Sequence, residues 1–149
     1  MSEGLTEITA AWQGETSFIA RNAAGGTVQM GTIDGKPGVG PMQLLLVAIA
    51  GCTGDDILSI LQKKRADLTD FQVRVTGKHA ADYPKVWTNI HITYLIWGNA
   101  ILPRDVEQAI GLSIKKYCSV GIMLEKSAEI TCEYQILVPG DIFLSKEEK

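Results

Sequence analysis

Two periods of hydrophobic and polar positions run along this chain, separated by one long stretch that is almost wholly apolar. The first 35 residues follow the short-strand pattern. Leu5 to Trp12 alternates, Ser17 to Ala20 forms a second short run, and Thr27 to Thr32 sets Val28, Met30 and Thr32 against Gln29. Trp12–Glu15 and Arg21–Gly26 are turn sequences between them, so residues 1–35 are expected to form a three-stranded meander. Asp34 to Gly40, rich in glycine and proline, reads as a loop.

Gly40 to Arg65 is the apolar stretch. Every residue from Met42 to Ala50 except Gln43 is apolar, and Pro41 suits the first turn of a helix. After Cys52 the pattern turns amphipathic, with Ile57, Leu58, Ile60 and Leu61 set against Asp55, Asp56, Gln62, Lys63, Lys64 and Arg65. This predicts a central helix over 40–65, buried all round and carrying Cys52 inside. The longest uncharged run through it, Pro37 to Gly54, is 18 residues and includes Gln43, four glycines and two prolines. That is short of the ~20 residues a membrane span needs, so a core helix is expected and no membrane partner.

The second half returns to strand and helix periods. Residues 71–97 predict two strands. Phe71, Val73 and Val75 share a face of the first; Ile90, Ile92, Tyr94 and Ile96 alternate with Asn89, His91 and Thr93 in the second. Ala66 to Asp70 reads as a short polar link. Residues 103–124 predict a helical region opened by Pro103, with Val106, Ala109, Ile110, Ser113 and Tyr117 on one face. At Ser119 the pattern permits either a continued helix or a new one capped by that serine. Residues 129–138 predict a last strand with Ile130, Cys132, Tyr134 and Ile136 on one face, and the tail Ser145–Lys149 is expected to fray. The fold class is therefore α+β, in one domain over 1–149. Sheets this short do not cover a long apolar helix, so a second copy is expected, its central helix packed on the first in an intertwined homodimer.

Composition sharpens this only in part. With 46% hydrophobic residues the chain suits a packed core, and a formal net charge of −3 without a long basic run argues against nucleic acid as a partner. No apolar leader follows Met1, which points to the cytoplasm, where three cysteines are better suited to core, catalysis or metal than to disulfide staples. Metal spacing is missing: there is no CxxC or HxxxH, and His79 and His91 read as solvated. The Gly38–Pro41 loop lacks the lysine and the glycine spacing of a phosphate cradle and reads as a connector.

Chemistry then falls to Cys52 and Cys118, each followed by a small hydroxyl residue, Thr53 or Ser119. Two thiols on packed helices can form a redox pair; equally, both can be small buried hydrophobes, and spacing alone favours the latter. Cys132 reads as core. Asp55 and Asp56 read as the point where the helix meets solvent. Electrostatics favour Cys118 as the more acidic thiol if a helix starts at Ser119, because a mid-helix Cys52 gains little from the helix dipole.

Pro41 with Cys52 eleven positions later, two strands, and a helix ending in Tyr117-Cys118-Ser119-Val120 before a last strand resemble the OsmC/Ohr family of osmotically inducible and organic hydroperoxide resistance proteins. The two cysteine segments are most similar to its redox or disulfide-related OsmC-like subgroup. The resemblance implies an intertwined homodimer with active sites at the subunit interface, and no cofactor is expected. It implies that Cys52 attacks a small organic hydroperoxide, that Cys118 resolves the product as a disulfide, and that a low-molecular-weight dithiol reduces it. The family's peroxidases carry a glutamate directly after the proline, where this chain has Met42, followed by Gln43. They also supply an N-terminal arginine; here Arg21 is the sole N-terminal arginine and the loop before the helix offers only Lys36. These departures support a second expectation, a dimeric module that holds an apolar ligand without redox chemistry, with Trp12, Met42, Trp87 and Met123 as candidate lining.

Overall fold

Proline and glutamine together start the central helix. In the computed structural model, which describes residues 4–143, α1 runs over Pro41–Lys63. The Gln43 side chain reaches back to accept the Gly40 amide at 2.8 Å, which satisfies one of the donors a helix start leaves open. The helix ends when Arg65 takes a left-handed φ of 59° and the Ala66 amide bonds back to the Leu61 carbonyl at 3.0 Å.

The other elements are β1 (Ile8–Gly14), β2 (Ser17–Asn22), β3 (Thr27–Met30), β4 (Thr32–Ile33), β5 (Lys36–Pro37), β6 (Asp67–His79), β7 (Trp87–Asn99), α2 (Pro103–Leu112), α3 (Ser119–Leu124) and β8 (Glu129–Leu137). A five-residue π-helical turn, Ser113–Tyr117, joins α2 to α3. The α+β mixture is the one the patterning implied. The expected tail, Ser145–Lys149, lies outside the described residues.

The chain divides between Leu45 and Leu46 into two compact units. In the first, β1, β2 and β3 form the expected antiparallel meander. The segment expected to be a loop instead contains the two-residue hairpin β4–β5, tied by Gly38 N to Gly31 O at 2.9 Å and by Gly31 N to Val39 O at 3.1 Å.

In the second unit β6 and β8 flank β7. β6 pairs antiparallel and β8 parallel, the latter after a crossover through α2 and α3. β6 starts at Asp67, earlier than expected, because its polar first residues find partners at the end of β7; Asn99 donates to the Asp67 carboxylate at 3.0 Å. Ile90, Ile92, Tyr94 and Ile96 of β7 form one wall of the core, at most 1% exposed. Ile49, Ile57 and Leu61 of α1 and Val106, Ala109 and Ile110 of α2 complete it. Gly54 lets α1 approach β6, since a Cβ there would stand 3.2 Å from Val73.

Two side-chain expectations fail, each for a local reason. Tyr117 is exposed, because the π-helical turn inserts a residue and rotates it off the face shared by Val106, Ala109 and Ser113. Cys132 is exposed, because β8 is an edge strand bordering an open groove of about 330 Å³ beside Ile110 and Ile114. Within one chain α1 is left partly uncovered, as expected of sheets this short: Met42 and Leu45 are each 38% exposed and Val47 54%.

Candidate functional site

An apolar helix, a strand and a broken helix meet around two thiols. Cys52 lies in α1 and is half-buried; Cys118 is 2% exposed and is the residue at which the chain leaves the π-helical turn and starts α3. The second helix region is therefore broken rather than continuous, and its cap is Cys118, not Ser119. The Gly121 amide donates to the Cys118 sulfur at 3.2 Å. Glycine leaves room for that approach, since a Cβ at residue 121 would crowd the same sulfur at 3.2 Å.

Cys52 lies near enough to Cys118 to contribute to the rise in its pKa. Burial pushes the Cys118 thiol up to about 11. The Gly121 amide acts in the opposite direction but is outweighed, and Cys52 and Asp56 add to the rise. The expectation of an acidic Cys118 is thereby overturned: one amide does not offset desolvation. Beside Cys118 lies a small cavity of about 80 Å³, lined by Thr53 and the apolar side chains of Ile49, Ile92, Ile114 and Ile130.

A chain of buried hydroxyls runs alongside the thiols. Tyr94 Oη lies 2.7 Å from Thr53 Oγ1, which lies 2.8 Å from Ser113 Oγ, which donates to Asp56 Oδ2 at 2.8 Å. Each hydroxyl has one proton. With Ser113 committed to Asp56, Thr53 donates to Ser113 and Tyr94 donates to Thr53. Burial pushes Tyr94 up to about 12. Asp56 is thus a hydrogen-bonded partner of the interior rather than a solvent marker; Asp55 is the exposed acid. Sequence reasoning noted Thr53 as the hydroxyl residue after Cys52 and placed Ser113 and Tyr94 on core faces, but did not connect the three. Their signal was present: each is a polar residue on an otherwise apolar face.

The remaining candidates of the second unit do not join this site. His79 Nδ1 lies 2.8 Å from the Ala80 carbonyl, outside the core. His91, on the outer face of β7, lies 2.7 Å from Thr131 Oγ1 and 3.0 Å from Glu133 Oε1. Among the described residues no group of three metal-ligating side chains gathers. Met123 is exposed on α3, while Trp87 packs beside Gly77 and 6.2 Å from the His79 ring. Trp12, Arg21, Lys36 and Met42 belong to the first unit, where Trp12 donates to the Glu15 carbonyl at 2.9 Å.

The raised Cys118 pKa carries a stability consequence. An acid whose folded pKa exceeds its ordinary value of 9.0 keeps the folded state protonated longer, so stability holds below pH 9 and is lost between pH 9 and about 11. From pH 8 to 10.5 this group should cost about 2 kcal/mol of unfolding free energy, measurable by urea titration. A Cys118→Ser protein should lack that increment; equal losses in both proteins would contradict the assignment.

Residues 33–133 match the family described as OsmC-like protein. Protein YhfA of Escherichia coli (strain K12) is 34% identical over 126 residues, which cover 85% of this chain and 94% of YhfA. A hypothetical protein from Aquifex aeolicus VF5, of known crystal structure, is 32% identical with a TM-score of 0.75, over 89% of this chain and 97% of that one. An organic hydroperoxide resistance protein OsmC from Legionella pneumophila shares the fold at 13% identity and a TM-score of 0.61, over 91% and 99%.

Proposed function

The chain belongs to the family of OsmC-like proteins, and on that footing we propose that it is a thiol-dependent reductase of small organic hydroperoxides. The observation that carries this reading is the proximity of two free thiols, Cys52 near enough to Cys118 to act on its pKa. The Cys52 thiolate attacks the terminal peroxide oxygen. The O–O bond breaks, the alcohol leaves with a proton, and Cys52 becomes a sulfenic acid. Cys118 then attacks the Cys52 sulfur, and its proton leaves with the hydroxyl as water. A low-molecular-weight dithiol exchanges with the resulting disulfide and restores both thiols.

Roles follow from placement. Cys52, half-buried, is the thiol assigned to meet peroxide. Cys118, 2% exposed and protonated at neutral pH, is suited to wait for it. Met42 occupies the position at which the family's peroxidases carry a glutamate, so activation of Cys52 here does not run through that carboxylate. Consumption of cumene hydroperoxide by catalytic protein with dithiothreitol tests the activity. Sustained turnover is the expected result, and no consumption above a protein-free control would contradict it.

The active assembly is proposed to be a cytoplasmic homodimer. Val47, Ala48 and Gly51 form an exposed apolar stripe at helical spacing on α1, and the small residues allow close approach of a second α1. Val47→Asp would bury an unpaired carboxylate there, so dimer affinity should fall at least about 100-fold. Sedimentation velocity at micromolar concentration reads the change. A mass of one chain for the unsubstituted protein would defeat the assembly.

A further inference from the structure

The two thiols are joined by a closed path through one buried residue. Thr53 follows Cys52 directly on α1, and its hydroxyl bonds Ser113 Oγ at 2.8 Å. The Ser113 backbone carbonyl accepts the Cys118 amide at 2.7 Å, across the wider loop of a π-helical turn. Ser113 itself is fully buried, and its own proton goes to Asp56, one helical turn along α1 from Cys52. One serine therefore grips α1 at two points with its side chain and holds the Cys118 backbone with its main chain. π-helical turns are rare in helices and recur at functional sites, because they aim groups that regular winding would not.

We propose that Ser113 is the positioning residue that sets the approach of Cys118 to Cys52, through the π-helical turn and its double hydroxyl bond to Thr53 and Asp56. This rests on the thiol-pair reading above but adds a residue that touches neither peroxide nor reductant. An ordinary helical turn would carry Cys118 out of register with Cys52. The turn persists because the side chain of its first residue is anchored on the helix that carries the partner thiol. The network also limits motion of the Cys118 amide, which ties it to the approach needed for disulfide formation.

Peroxide is left out of the test, so that its outcome does not depend on peroxidase activity. In a Cys132→Ser background, the Cys52–Cys118 disulfide is brought to equilibrium in mixtures of reduced and oxidised glutathione. The thiol pair's effective concentration follows from mass-resolved alkylation. Ser113→Ala and Thr53→Val should each lower it at least about tenfold, since small misplacements of reacting atoms carry losses of that order. Thr53→Ser, which keeps the hydroxyl, should stay within about twofold of the parent. Circular dichroism confirms folding. Should Ser113→Ala fail to fold, Thr53→Val, isosteric but without the hydroxyl, and Thr53→Ser, which keeps it, decide the matter alone. Effective concentrations equal to the parent's in folded variants would overturn the inference, as would a parent that forms no intramolecular disulfide. A parent with the expected equilibrium but no reaction with hydroperoxide would defeat the proposed activity and leave the positioning role standing.

Discussion

In Cys52→Ser protein, dithiol-dependent consumption of an organic hydroperoxide should fall to the uncatalysed rate, a loss of at least about 10³-fold. The reason is electronic rather than steric. Peroxide reduction needs an atom that gives up two electrons and holds the transferred oxygen. Sulfur does this at the sulfenic level, whereas an alcohol oxygen does not. Serine is also close in size to cysteine, so the Cys118 environment should survive the change. Cys118→Ser should behave differently. Its Cys52 still meets peroxide, but nothing within reach condenses with the sulfenic acid. One stoichiometric oxidation should occur, followed in excess hydroperoxide by the sulfinic acid, a gain of two oxygens by mass. Turnover of Cys52→Ser at the parental rate would remove that thiol from the chemistry.

Resolution should accelerate about tenfold per pH unit from pH 7 to 10 and level off near 11. Cys118 is pushed up to about 11 chiefly by burial, and only its thiolate attacks the Cys52 sulfur at a useful rate. At pH 7 the thiolate fraction is therefore about 10⁻⁴, and it grows tenfold with each unit below the pKa. Quenched single turnovers, with the sulfenic acid trapped by a diketone and the disulfide counted by mass, separate this step from the first oxidation. A resolution rate independent of pH above 8 would contradict a buried, high-pKa resolving thiol.

Much of the fold was legible from local pattern, because the deciding interactions are local. Pro41 and the apolar run that follows it marked the start of α1, the alternation of Ile90, Ile92, Tyr94 and Ile96 marked the core face of β7, and Pro103 opened α2. The errors arose where a neighbour decides. Cys132 alternates with core residues yet is exposed, because nothing in its own strand reveals that β8 is an edge. Tyr117 fits the apolar face of a regular helix, and only the π-helical turn displaces it. Cys118 looked acidic at a helix start, but burial by distant residues exceeds what one amide supplies.

The site was legible in its parts and not in its assembly. Cys52 and Cys118 stood out as the thiols on helical segments, and Cys52 is near enough to Cys118 to act on its pKa. The hydroxyl chain depends on three elements meeting in one register, with Thr53 from α1, Tyr94 from β7 and Ser113 from the π-helical turn. Each residue alone is an ordinary polar interruption of an apolar face. Together they satisfy one another, and among the described residues no buried side-chain polar atom is left without a partner. Asp56 was misjudged for the same reason, since its partner Ser113 lies 57 positions away.

Intact mass with thiol trapping, after one equivalent of organic hydroperoxide, tests the central claim most directly. A loss of two hydrogens, with Cys52 linked to Cys118 and Cys132 still trappable, is the expected result. Three thiols that remain fully trappable would contradict it.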